Sequence, residues 1–419
     1  MVLTNRKNVL FAAVVCAAPA LAGAQASDLE PTGVRIGSGR LNPTISFDAT
    51  YDSAAGVVED EMKSGTILHI RPGIRFLAPS DTLQLKLNAN YDYHAFLGDD
   101  LSDLSKSAAD VDFGALFNKE GDVAFEITDR FVRSDRTDVY SVGINSIVNR
   151  NDASLRLITR SGDAWSLTPS YTLTTQTFES VIDDTAFANG LEFYDNLSHR
   201  GRVDARFALG ARTALLVDAA VGYRTYTGDE TVLGDTGRAD DVGDLNFQVG
   251  LTSMLSPKVG VTVKGGYGSQ FGLDDAEDGS ARGFSGFVGN AELGWYATDL
   301  TTVRLGYART FQADPRFDFY SDDRLYLESA LAFTRQFGVR AGLSYDMVAF
   351  GGGLQGDAAE ENEHDIFRFH VGPEYQFNRW FGAGVSYALT SRSATGTNED
   401  SLFYNYDRNE LTGRITFTY

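Results

Sequence analysis

Cysteine is nearly missing from this 419-residue chain: its one copy, Cys16, sits in an apolar N-terminal run, Val9 to Leu21, preceded by Val15 where a lipoprotein signal needs a small residue. The remainder therefore has neither disulfides nor thiolate metal ligands. Histidine is also sparse. His69, His94, His199, His364 and His370 stand far apart without ligand-like spacing, so neither a metal site nor a cofactor is expected. No segment after the N-terminus approaches the roughly eighteen consecutive apolar residues a membrane helix needs. Positive charge is in deficit, 36 Lys and Arg against 57 Asp and Glu for a net −21, which excludes a nucleic-acid partner. A nucleophile elbow and a zinc-protease motif are both absent. Gly265, Gly266, Gly268 and Gly272 lie in an alternating segment with no helix after them, so close strand packing explains them better than a phosphate loop. Asp110 and Asp112 share a face through strand parity alone. The expectation is that the chain is not an enzyme.

The sequence does contain export and strand signals. Arg6 and Lys7 precede the apolar run, and small residues follow at Ala24 and Ala26. Residues 1–26 read as a secretory signal peptide, 27–40 as a periplasmic N-terminal segment and 41–419 as one strand-built unit. The composition of that unit, with 43 Gly, 28 Phe and 19 Tyr but only nine Pro, does not suit two or three soluble domains. Its last residues place Leu411, Gly413, Ile415, Phe417 and Tyr419 on one face and Glu410, Thr412, Arg414, Thr416 and Thr418 on the other. Such a strand, greasy outside and polar inside, commonly closes outer-membrane barrels.

The pattern recurs along the chain. Leu83, Leu85, Leu87, Ala89, Tyr91 and Tyr93 alternate with Gln84, Lys86, Asn88, Asn90, Asp92 and His94; similar segments follow up to Phe381–Leu389. Weaker ones lie near Ile45–Tyr51, Ala109–Phe117, Leu155–Ile158 and Trp165–Phe178, and Val132–Ser161 is the least legible stretch. Short connections such as Ala78–Thr82, Lys119–Asp122 and Asn378–Trp380 alternate with long acidic ones, among them Ala54–Lys63, Leu97–Lys106, Thr227–Gly243, Ala313–Asp323 and Ala349–His364. These features predict an all-β transmembrane antiparallel up-and-down barrel of about 18 strands in the bacterial outer membrane, with short periplasmic turns and long extracellular loops. Tyr91, Tyr93 and Phe96, and Trp380, Phe381 and Tyr387, are expected in aromatic girdles.

Parity assigns the charges. Arg71, Arg75, Lys86, Asp92, Arg130, Arg202, Arg206, Arg224, Arg304, Arg340, Arg368, Glu374 and Arg414 are the candidate lumen-lining residues. Their confinement to one face follows from the cost of about 2–4 kcal/mol for Arg or Lys facing lipid at the bilayer midplane. Arg309 breaks the rule near a strand end. The expected arrangement for most is a ladder of cross-strand ion pairs, with a solute path as the functional alternative. Acidic loop runs such as Glu59-Asp60-Glu61 and Glu360-Glu361 read as a solvated surface, or as ligands for divalent ions shared with anionic headgroups. The expected partners are thus outer-membrane lipid and lipopolysaccharide, around a monomeric barrel.

The opening from Gly33 to Ser53, GVRIGSGRLNPTISFDATYDS, and the stretch from His69 to Phe96, HIRPGIRFLAPSDTLQLKLNANYDYHAF, resemble the outer-membrane family called beta-barrel porin 2. The shared pattern is a first strand with Pro and hydrophobic residues ending in Tyr-Asp, then a Pro-containing strand, then a Leu-rich one. The likeness is strongest up to about Arg133, and Ala54-Ala55-Gly56 departs from it. Membership implies a conduit, or a component of one, for surface polysaccharide (exopolysaccharide) export, with a periplasmic polysaccharide-export or motility-complex protein as partner. A general diffusion porin and a non-conducting anchor in an envelope or gliding-motility complex are the other readings. No catalytic residue carries over.

Overall fold

Pairing of alternating strands closes the chain on itself. The computed structural model describes residues 31–419 except 59–60, 99–100, 102–104, 135–145, 181–193, 229–240, 273–282, 299, 315–317, 352–362 and 396–404. The expected signal peptide and most of the acidic loop runs lie outside the described residues.

A short strand, β1 (Val34–Ile36), folds back on β2 (Gly39–Val58) through Gly37, whose φ of 60° suits a residue without Cβ. There follow β3 (Glu61–Ala78), β4 (Leu83–Leu97), β5 (Lys106–Phe117), β6 (Val123–Ser134), β7 (Ser146–Ser161), β8 (Trp165–Ser180) and β9 (Asn196–Ala208). The second half comprises β10 (Thr213–Tyr226), β11 (Val242–Ser256), β12 (Val259–Gly272), β13 (Gly283–Thr298), β14 (Thr301–Asp314) and β15 (Asp318–Ala332). It ends with β16 (Phe337–Gly351), β17 (Glu363–Asn378), β18 (Phe381–Ala394) and β19 (Tyr406–Thr418).

Each strand from β2 onward pairs antiparallel with its neighbours in sequence, and β19 returns to β2 in the register Arg414↔Asp48 and Thr418↔Thr44. Eighteen strands thus form a closed barrel with every ladder satisfied, as a bilayer requires. The C-terminus completes the seam: Tyr419 N donates to Pro43 O at 3.0 Å, and Asn42 Nδ2 donates to Tyr419 O at 2.8 Å.

Short turns gather at one end, which by the general rule for such barrels is periplasmic. Asn118 takes φ of 54° between β5 and β6, and its Nδ2 donates to Val123 O at 2.7 Å. Asn378 Oδ1 accepts from the backbone N of Trp380 and Phe381 at 2.8 and 3.1 Å, an Asx turn that carries β17 into β18. Of the stretch Val132–Ser161, the described residues belong to the end of β6 and to β7, residues 135–145 lying outside them, and the Leu155–Ile158 fragment is part of a strand of 16 residues. Its sequence, rich in Asn, Asp and Arg, hides the alternation.

At the opposite end the strands run further than their apolar pattern. Ala54–Lys63 was expected to be loop, yet β2 continues to Val58 and β3 begins at Glu61, with the register shifting between Asp52 and Gly56. Ala313–Asp323 is likewise mostly strand. A strand of 20 residues such as β2 exceeds the 9–11 or so that cross a bilayer. Beyond the membrane both faces meet water, so pairing persists after greasy alternation stops.

The outer face bears Phe47, Leu68, Ile70, Val249, Leu305, Leu343, Leu411 and Ile415, all at least two-fifths exposed save Val249 at 39%. Close strand approach explains Gly266: a Cβ there would stand 1.8 Å from the carbonyl oxygen of Phe247. At the turn end, Phe377 stacks on Phe381 and Phe381 packs on Phe417 with ring centroids 4.9 and 5.1 Å apart. Toward the loop end a tyrosine belt finds polar partners: Tyr171 with His199 at 2.7 Å, Tyr223 with Asp241 at 2.8 Å, Tyr387 with Asn409 at 2.6 Å, and Tyr307 with Asp323. These two bands are the interfacial girdles. Tyr91, Tyr93 and Trp380 lie exposed as expected. Phe96 does not: it faces inward, 5% exposed, packed with Ile67 and Leu101, because it shares the parity of Asp92 and His94.

Candidate functional site: a charged lumen

Register turns the inward charges into cross-strand pairs. In the turn-end half, Lys86 Nζ reaches Asp112 at 2.6 Å, Arg156 reaches Glu126 at 3.0 Å, and Arg304 reaches Glu328 at 2.6 Å. Arg340 stands 3.9 Å from Glu374 in the same half, and farther along Arg130 reaches Asp110 at 3.2 Å. Arg202 binds both Asp204, at 2.7 Å, and Asp218, which Lys264 approaches at 3.7 Å. Asp346 takes Arg368, and Arg324 at 3.5 Å. Among the described residues, Arg75 and Arg206 make no ion pair, and both are exposed at the turn end.

One cluster ties the closing seam. Asp48 on β2, with its side chain fully buried, accepts from Arg71 on β3 at 2.6 Å and from Arg414 on β19 at 2.9 Å. Arg71 continues to Asp92 on β4. Asp92 in turn lies 3.2 Å from His69 Nδ1 and 2.9 Å from His94 Nε2. His69 and His94 are direct cross-strand partners, their rings edge-on with centroids 4.4 Å apart. Linear spacing conceals this meeting, since a turn and most of two strands separate the histidines; inward parity and hairpin register bring them together.

Packing divides the lumen into two unlike halves. Among the described residues, every buried apolar side chain larger than alanine lies in the loop-end half, including Phe96, Val132, Phe178, Tyr226, Val288, Tyr320, Val348, Phe350 and Ile366. Tyr320, Val348, Phe350 and Ile366 form one cluster on β15, β16 and β17. Arg224 on β10 donates from Nη1 to Ala313 O on β14 at 3.1 Å, so walls four strands apart touch. Arg224, Gln176, Phe178, Tyr226, Gln312 and Tyr320 border a small polar cavity there. At inward positions of the other half, among the described residues, the buried apolar side chains are alanines, Ala124 and Ala214, whereas Ala78 and Ala115 are buried on the outward face beside Leu85. Among the described residues, the bore is therefore lined by ion pairs and small side chains toward the turns and packed with large apolar ones toward the loops.

Among the described residues, charges on the outward parity lie mostly toward the loop end; Asp129, between Ile127 and Phe131, is nearer mid-strand and accepts from Asn151 Nδ2 at 3.1 Å. Arg309 pairs with Asp323 at 2.7 Å, which accounts for its exceptional parity. Near the tips of β6 and β8, Arg133 holds Glu179 by two hydrogen bonds of 3.0 and 2.9 Å, and Asn149 adds a third at 2.6 Å. The hydrogen bonds from Arg133 pull the Glu179 carboxyl below its ordinary range, outweighing the effect of partial burial.

Similarity to solved structures extends over most of the chain but is low in identity. The FrpB iron transporter from Neisseria meningitidis (F5-1 variant) superposes with a TM-score of 0.52 at 9% identity, over 88% of this chain and 67% of that one. The outer membrane protein OpdK from Pseudomonas aeruginosa gives 0.47 at 9% identity, over 90% of this chain and 99% of that one. The siderophore receptor PirA from the same organism gives 0.43 at 9%, over 93% and 81%. Likeness of this order speaks to the fold alone. No curated protein matches the chain. The family described as "Putative beta-barrel porin 2" matches residues 27–412, so the chain belongs to that family of bacterial outer-membrane barrels.

Proposed function

We propose that this porin-like barrel is the outer-membrane conduit, or a component of it, for export of a surface polysaccharide. The observation that carries the reading is the neutralised ion-pair wall of the turn-end half, where Lys86–Asp112, Arg156–Glu126 and Arg304–Glu328 span β4–β5, β6–β7 and β14–β15. Paired charges offer a hydroxyl-rich chain many exchangeable hydrogen bonds and little net field, so each sugar is held weakly enough to slide on. Arg75 and Arg206 give the entrance on the turn side an added positive lean. The work is passage, with no catalytic step.

The family resemblance supports the polymer class, and the packed loop end fits a channel that opens only when engaged. Deleting the gene in its native bacterium tests this. Loss of surface polysaccharide with polymer retained in the periplasm, restored by the wild-type chain, is expected. Unchanged surface polymer with slower uptake of small solutes would instead identify a diffusion porin. Unchanged polymer and permeability with disturbed assembly of an envelope complex would identify an anchor.

A further inference from the structure

We propose that His69, Asp92 and His94 form a binding site for one borderline divalent transition ion, such as Zn²⁺, on the lumen wall between β3 and β4. Linear spacing gives no hint of it. The argument rests on register, donor chemistry and distance.

His69 and His94 oppose each other across the β3–β4 ladder, and Asp92 stands two residues before His94 on the same inward face. Each contributes one donor, and the three donor atoms lie within 4.8 Å of one another. Two imidazoles and a carboxylate suit zinc and its neighbours among the first-row ions better than calcium or magnesium, which prefer oxygen alone. Each imidazole sits against one oxygen of the carboxylate, His69 Nδ1 at 3.2 Å from Asp92 Oδ1 and His94 Nε2 at 2.9 Å from Asp92 Oδ2, separations close to the roughly 3.3 Å between ligand atoms that bond a tetrahedral ion at about 2.0–2.1 Å.

Both histidines are buried, at 9% and 6% exposure, so their rings are held by packing before any ion arrives. Three protein ligands leave a fourth position for water facing the bore, the composition of an open site. Arg71 is the competing cation, 3.3 Å from His69 Nδ1 through Nη2 and in contact with Asp92 through Nε. Its other arm already rests on Asp48. An ion would take the two histidines and an oxygen of Asp92 and leave Arg71 to Asp48. Plain hydrogen bonding between the same three groups is the competing account.

The test is calorimetric titration of ZnCl₂ into the full chain, untagged, folded in detergent and stripped with chelator. Wild type should bind one zinc that His69→Ala and His94→Ala each weaken at least tenfold, while His199→Ala, on the outer face beside Tyr171, leaves it unchanged. Cobalt substitution should give visible absorption of four- or five-coordinate character, lost in His94→Ala. Folding of each variant is read separately from its heat-dependent mobility on SDS gels. Zinc binding that is absent from the folded wild type, or equally tight in folded His69→Ala and His94→Ala, would overturn the proposal.

Discussion

Arg224 on β10 donates a hydrogen bond to the backbone carbonyl of Ala313 on β14 at 3.1 Å, a contact between wall segments that no strand pairing brings together. It joins the cavity bordered by Tyr226 and Tyr320 and narrows the loop-end mouth. Arg224→Ala removes both the bond and the bulk of the guanidinium. Single-channel recordings in planar bilayers should show a larger unitary conductance than wild type. Equal conductance would place the narrowest point elsewhere.

The seam between first and last strands depends on Asp48, shared by Arg71 and Arg414. Asp48→Asn leaves two inward arginines without their common carboxylate, and breaking a buried pair of this kind costs about 3 kcal/mol. By contrast, Lys86 is half exposed beside Asp112, so Lys86→Met should cost less than about 1 kcal/mol. Urea unfolding from lipid vesicles, followed by tryptophan fluorescence, compares the two. Similar losses would contradict the ranking.

Parity across β11 predicts opposite tolerance at neighbouring positions. Val249 faces lipid near mid-strand, and Gln248 faces the bore, where it bonds Asn246 at 3.0 Å. Val249→Arg should lose about 2–4 kcal/mol in vesicle refolding. Gln248→Arg keeps its charge in water and should lose a fraction of that.

Glu179 supplies a pH dependence. Its carboxyl is held below its ordinary range by Arg133, so the pair contributes fully above the unfolded-state value and its contribution is lost as pH falls through the lower folded-state value. Amide hydrogen exchange at the tips of β6, β7 and β8 should quicken on that acid side, beyond the intrinsic change in exchange rate. Glu179→Gln should exchange faster at neutral pH already and show no such acid-dependent step. No difference between the two proteins at neutral pH would remove the pair from the stability of these tips.

Strand existence, closure and side-chain parity were legible because lipid on one side and water on the other impose a period of two on every crossing segment. Leu411 through Tyr419 and Leu83 through His94 display it most plainly. Parity also placed Lys86, Arg130, Arg304 and Arg414 on the charged face, and the structure gives each a carboxylate partner across the ladder. It failed above the membrane, where Val57, Val58 and Asp318 continue in strands that no lipid patterns. Phe96 misled because an aromatic ring near a strand end suits both a girdle and an inner cluster. The meeting of His69 with His94 needed the hairpin register, and the touch of Arg224 on Ala313 needed the curvature of the whole wall.

Unequal halves of the bore are the centre of this account, and one-sided polymer partitioning tests them most directly. Neutral polyethylene glycols of graded size are added to one chamber at a time while the conductance of a single inserted barrel is recorded. Larger glycols should enter and lower the current from the turn side than from the loop side, with Arg224→Ala reducing the difference. The same size cutoff from both sides, in wild type as in the variant, would contradict a bore of small side chains toward its turns and large apolar ones toward its loops.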